Sequence, residues 1–249
     1  MPERLTTSED FFDRYLTERV VGKEHAMPQV AALSIAGLTG SGITSTAREL
    51  SEIAARRLNK PVYTFSSSDF ALIKSQEKLG HKTAHILRDA QTIHETDAFM
   101  LDQLIDPSHA GSLIVAEGRL TPFLMTGLRQ AAARRNISLP FDGLGVYLFA
   151  TEPVRHSRKY LDAVKSEPTL DFEQFRSGLR LQAVEEQRGY IAAYPQLLGH
   201  NPNSMAFQYR GDPVYSLRFD TTTQRPYETA LGIFENDKVQ DLLHRTQIL

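Results

Sequence analysis

An α/β fold, with helices on both faces of a parallel sheet, follows from three observations on this sequence. Short apolar runs alternate with helix-length segments along most of the chain, the order that a sheet with right-handed crossovers requires. Two of those runs, SLIVAE at 112–117 and LGVYLFA at 144–150, have the continuous apolar character of central strands buried on both faces. A third, at 31–36, leads straight into a glycine-rich turn (37–42). The helix after it repeats Ala47, Leu50, Ile53, Ala54 and Leu58 with the period of one buried face.

The elements follow in order. Residues 1–30 read as an N-terminal helical extension. Thr7 with Asp10 can form a capping box, Phe11, Phe12, Tyr15 and Leu16 line one helical face, and 22–28 link it to the first strand. Its expected role is packing against the core or a partner subunit. Residues 31–249 form the main domain. PVYTF (61–65) is the second strand, ending at Ser66, Ser67, Ser68 and Asp69, and a polar, mostly helical region runs from 70 to 105. The strand at 112–117 stops at Glu117-Gly118-Arg119-Leu120, before a helix reaching about Arg135. After the strand at 144–150 come two helices rich in basic residues, 152–164 and 171–197. A last strand at 215–219 precedes Asp220-Thr221-Thr222 and a C-terminal helix.

With 249 residues there is length for one large or two small domains and a substantial core. A net charge of −2 makes no electrostatic case for nucleic acid or an anionic membrane as main partner. The absence of cysteine excludes disulfides, a thiolate nucleophile and cysteine–zinc sites. No apolar run approaches a membrane span, and MPERLTTSEDFF lacks the apolar core of a signal peptide. The expectation is a soluble, cytoplasmic protein with no nucleic-acid or membrane partner, its assembly open to a homo-oligomer.

In sheets of this kind ligands lie beyond the carboxyl ends of the strands. The turn after the first strand carries Gly37, Gly40, Ser41, Gly42, Ile43, Thr44 and Ser45. Its glycines permit the positive backbone angles of a tight anion-cradling turn. Successive amide N–H groups then point into one concavity at the positive end of the helix dipole. Gly37, Gly42 and Thr44 satisfy G-x-x-x-x-G-K-[ST], the phosphate-binding loop in which Thr44 holds Mg²⁺, but Ile43 stands at the lysine position. An ordinary turn without ligand is the competing explanation. Losing one preorganised charge-stabilising donor costs on the order of 10²–10³ in rate, or roughly 3–4 kcal/mol. An active enzyme therefore needs a substitute cation. Arg155, Arg158 and Lys159 share a helical face, with Arg176, Arg180 and Arg188 on the next helix, where a lid over nucleotide phosphates would be built; solvated faces are the alternative. Glu117 is a candidate to hold a Mg²⁺-bound water or orient an acceptor, or else pairs with Arg119. Asp69 is either an acceptor or metal-shell contact or a helix N-cap. His81 and His85 have the spacing of a helical zinc pair. They lack the HExxH glutamate and a third ligand, which points to surface histidines.

Together these residues resemble a family. GLTGSGITST (37–46) looks like the phosphate loop of cytidylate kinase-like proteins, whose archaeal-type branch also departs from lysine at that position. Glu117-Gly118-Arg119-Leu120 matches the EGRL signature of that branch. Pro153-Val154-Arg155 with Arg158 resembles its lid entry, Tyr190 and Tyr194 its tyrosine-rich lid exit, and 215–221 its late strand. The resemblance covers roughly 31–235. It implies a P-loop NTPase-type three-layer sandwich with a helical NMP-binding segment (66–111) and lid-like helices (152–197). It further implies that Arg119 binds the acceptor phosphate and that Arg155 and Arg158 close over the transferring group. Around the acceptor the match is looser. Lys74 is offset by one from the family's arginine, Asp97 and Asp102 approximate its aspartate pair, and Arg188 is a further candidate there.

The activity so implied is transfer of the γ-phosphoryl of ATP to a nucleoside monophosphate, CMP or dCMP first, with Mg²⁺. Two alternatives stand beside it: a nucleotide- or phosphate-binding regulatory protein that has lost turnover, and a kinase for a small non-nucleotide acceptor.

Overall fold

The computed structural model describes residues 8–22, 29–79, 89–201, 204 and 206–249. Five parallel strands form its main sheet: β1 (Val30–Gly37), β2 (Val62–Ser66), β3 (Ser112–Glu117), β4 (Phe141–Phe149) and β5 (Leu217–Asp220), in the spatial order β2-β3-β1-β4-β5. α1 (Ser8–Arg19) precedes β1, and α2 (Ile43–Arg57) follows it. α3 (Ser67–Leu79) and α4 (Ala90–Ile105) come after β2, and α5 (Thr121–Arg134) after β3. α6 (Glu152–Ala163) and α7 (Phe172–Ala193) follow β4; α8 (Pro226–Phe234) and α9 (Asp237–Arg245) follow β5. The expected α/β arrangement, a parallel sheet between two helical layers, is what the chain adopts.

The side-chain period of two explains the layers. Ala31, Leu33 and Ile35 of β1 point into a core shared with α2, α8 and α9, while Val30, Ala32 and Ala36 face α1, α4 and α5. Strands β3 and β4 divide in the same way, Leu113, Val115, Val146 and Leu148 against Ile114, Ala116, Phe141 and Tyr147. Every residue of β1 and β3 is buried, which accounts for their unbroken apolar runs. The chain leaves β1 for one face and the adjacent β3 for the other, so a crevice opens between their carboxyl ends.

α1 belongs to this core. Phe11, Phe12, Tyr15 and Leu16 are all buried, and Phe12 lies against α5 where Gly127 leaves no room for a Cβ. Tyr15 donates to Asp102 of α4 at 2.9 Å. Thr7 of the expected capping box lies outside the described residues, as do 23–28 of the link and both His81 and His85.

Several boundaries move for local reasons. β4 begins three residues earlier than expected, at Phe141, where it pairs with Val30 of β1. α7 stops at Ala193, before Pro195, and a short 3₁₀ turn, Pro195–Leu197, completes the segment. The C-terminal helix is two helices, because Asn236 accepts from the Lys238 N–H and starts α9 afresh. Among the described residues no helix is long and apolar enough to cross a membrane.

Candidate active site

A cleft of about 1090 Å³ opens at the carboxyl edge of the sheet, bounded by the 39–46 loop, the 117–121 segment and residues from α3, α4, α6 and α7. Gly42 is the N-cap of the 15-residue α2, with φ 88°, no side-chain cap and no acidic residue in the first turn. The first-turn amides therefore lack a capping acceptor and stand at the positive end of the helix dipole. Gly40 has φ +86° and lies against the backbone of Arg155, so a side chain is excluded twice over. Gly37 corrects an expectation: its angle is not in the left-handed region. Glycine is needed there because a Cβ would run into the Leu148 carbonyl and Ser41 Oγ. Ser41 is fully buried and its Oγ has no partner among the described residues, which leaves a hydroxyl for a ligand oxygen. Ile43, the first residue of α2, packs partly against the core and lines the cleft, as do Thr44 and Ser45.

Glu117 ends β3 facing this loop. Burial pushes its carboxyl above the ordinary value; hydrogen bonds from Thr44 and Ser66 oppose that, and the Asp69 charge adds to it. One hydroxyl and one carboxylate beside this glycine-rich loop fit magnesium, which takes few protein ligands and most of its shell from phosphates and water. Among the described residues no group of three His, Asp or Glu side chains offers a denser metal site.

Arg119 is held from two sides. Its guanidinium donates to Thr39 Oγ1 in the loop and forms an ion pair with Glu186 of α7, both side chains being largely buried. Gln182, one turn earlier on α7, donates to Glu186 at 3.1 Å, and Tyr190, one turn later, lines the same wall. Asp97 of α4 closes this side. It accepts from Tyr194, and burial raises its carboxyl to about 7, the Tyr194 hydrogen bond opposing the rise.

The two lid-like arginines separate. Arg155 donates to the carbonyls of Ala150 and Thr39, each at 3.2 Å, and does not line the cleft. Arg158 lines it, as does Lys159. Other expected positions also lie off the cleft lining, Gly37 and Asp102 among them. Asp69 is exposed in the first turn of α3, where Ser66 rather than Asp69 supplies the cap by accepting from the Asp69 N–H. Lys74 pairs with Glu77 at 2.8 Å and lies over the Phe70 ring. Arg188 is exposed on α7, while Arg176 and Arg180 pair with Glu173 and Glu152.

Sequence reasoning missed Thr39, Glu186 and Thr221. Gln182, Glu186 and Tyr190 do carry a signal, since their i, i+4, i+8 spacing puts three polar groups on one helical face. Thr221 directly follows the last strand, the position where site residues of a parallel sheet gather.

No family model matches the chain, and no curated protein matches it. The Mycobacterium tuberculosis APS kinase, solved in complex with AMPPNP and APS, is similar in structure at 15% identity and TM-score 0.45, over 87% of this chain and 99% of that one. The Deinococcus radiodurans tunicamycin resistance protein is similar at 17% identity and TM-score 0.43, over 84% and 94%.

Proposed function

We propose that this protein is a phosphotransferase that moves the γ-phosphoryl of ATP to a small acceptor, with a nucleoside monophosphate, CMP or dCMP, as the first acceptor to test. The observation that carries this reading is the convergence of the uncapped start of α2, the Thr44–Glu117 pair and Arg119 on one cleft. The loop amides hold the β-phosphate, with Ser41 Oγ as a further donor. Magnesium, where bound by Thr44 and through Glu117, supplies neutralisation of the phosphate charge. Arg119 receives the acceptor's anionic group. No protein nucleophile is needed, because an acceptor oxygen attacks Pγ and ADP leaves with the bridging oxygen.

The test is coupled ATP consumption with Mg²⁺ and CMP, dCMP, UMP or AMP, using folded protein. Turnover with one of them supports the nucleotide acceptor. A specific observation favours the small non-nucleotide acceptor as second reading. Lys74 and Arg188 lie off the cleft lining, and Arg119 is already ion-paired with Glu186. Turnover with hydroxylated metabolites but not with nucleotides decides for that reading. Nucleotide binding without any product decides for the non-catalytic one, which Ile43 favours.

A further inference from the structure

We infer that Thr221 is a positioning residue that fixes Arg158 to the phosphate loop, so that this guanidinium stands in for the ammonium absent at position 43. The inference rests on the phosphotransferase reading above.

Thr221 follows β5 and is almost wholly buried, at 3% exposure. Its hydroxyl donates to the Ser41 carbonyl at 2.8 Å, across 180 residues of chain. The same hydroxyl lies farther, at 3.1 Å, from the Phe149 carbonyl, which also takes the Thr221 N–H at 2.7 Å. The Thr221 carbonyl in turn accepts from Arg158 Nη2 at 2.6 Å. Arg158 Nη1 also reaches the Thr221 hydroxyl, at 3.5 Å, so one residue grips the loop with its side chain and the arginine with its backbone carbonyl and that same hydroxyl. The guanidinium carries five donors, more than Thr221 takes, and Arg158 lines the cleft into which the loop also faces.

Arg155 has a different position. It spends donors on Thr39 and Ala150, and its backbone abuts Gly40. It clamps the beginning of the loop, whereas Arg158 is anchored through Ser41 at its end. Charge at the transferring group is useful only if it is already in place when the reaction begins, since orientation on arrival costs rate. A lysine at position 43 is preorganised by its own helix. An arginine on α6 needs a fixed point on the loop, and the Thr221 hydroxyl supplies it.

The experiment compares the wild type with Thr221→Val, Thr221→Ser, Arg158→Gln and the double variant Ile43→Lys/Thr221→Val. It measures the affinity ratio for Mg²⁺–AMPPNP over Mg²⁺–ADP by calorimetry, kcat and KM for ATP, and thermal melting. Arg158→Gln is expected to lower kcat on the order of 10²–10³-fold. Thr221→Val should lower it on the order of 10²-fold and cut the triphosphate preference about tenfold. Thr221→Ser should recover most of the loss, and Ile43→Lys should relieve Thr221→Val by supplying the cation from the loop. A Thr221→Val variant that melts lower but keeps the wild-type affinity ratio overturns the inference, as does a double variant no better than Thr221→Val. If the wild type binds nucleotide without turnover, the affinity ratio alone decides. If it binds none, the phosphotransferase reading fails and this inference falls with it.

Discussion

Replacing Asp97 by Asn exchanges a carboxyl for an amide of the same shape at the buried side of the cleft. The amide oxygen can still accept from Tyr194, so packing and the hydrogen bond are retained while the ionisable group is removed. Burial holds the carboxyl at about 7 in the folded protein, against 3.8 when solvated. At about 1.36 kcal/mol per pH unit of that difference, the ceiling is roughly 4 kcal/mol, and we expect about 2–4 kcal/mol. The sign follows from proton counting. Below about pH 4 the group is protonated in both states and contributes nothing. Between about 4 and 7 the unfolded chain ionises while the folded one stays protonated, so stability falls as pH rises, and above 7 the full cost is present. Asp97→Asn should match the wild type near pH 4 and exceed it by about 2–4 kcal/mol at pH 8. Urea unfolding followed by far-UV circular dichroism is the assay, since the chain has no tryptophan. A difference between variant and wild type that is equal at the two pH values, or larger at pH 4, refutes the argument.

Phe12→Ala should destabilise by about 3–5 kcal/mol in the same urea assay, because Phe12 is 1% exposed and packs on α5 and the Phe123 ring. A value below about 1 kcal/mol would show α1 to be detachable. Gly127→Ala should cost about 1–3 kcal/mol through the Phe12 ring, and combining it with Phe12→Ala should recover most of that term. Gly40→Ala should abolish measurable affinity for Mg²⁺–ADP while costing about 1–2 kcal/mol of stability, since φ +86° and the Arg155 backbone both exclude a Cβ; calorimetry and melting separate the two effects. Ile43→Lys in the wild-type background should raise kcat less than it does in Thr221→Val, because Arg158 already supplies the charge there; steady-state kinetics on the four proteins give the comparison.

Much of the fold can be read from local pattern. Periodicity in the apolar runs identifies β1, β3 and α2, and glycine chemistry marks the loop between β1 and α2, because both signals come from residues near one another in the chain. Residues at the ends of strands, such as Glu117 and Arg119, are legible for the same reason: once the sheet is parallel, those ends share an edge. The partners of these residues are not. Arg119 meets Glu186 and Thr39, neither of them its sequence neighbour. Arg155 and Arg158 are indistinguishable by helical spacing, yet one clamps the loop's start and the other lies on the cleft. That division depends on Gly40 meeting the backbone of Arg155 and Thr221 meeting the guanidinium of Arg158, contacts made across many residues of chain.

By itself, then, the amino-acid order determined a parallel α/β sheet, an anion-cradling loop after its first strand, and a set of charged candidates beyond the strand ends. Only the tertiary structure decided which candidates face the cleft, that Lys74 and Arg188 lie off it, and that the aromatic face of α1 is part of the core. The physical reason is range. Backbone propensity and apolar period act over a few residues, whereas hydrogen-bond partners and burial are chosen by whatever the folded chain brings within about 3–4 Å.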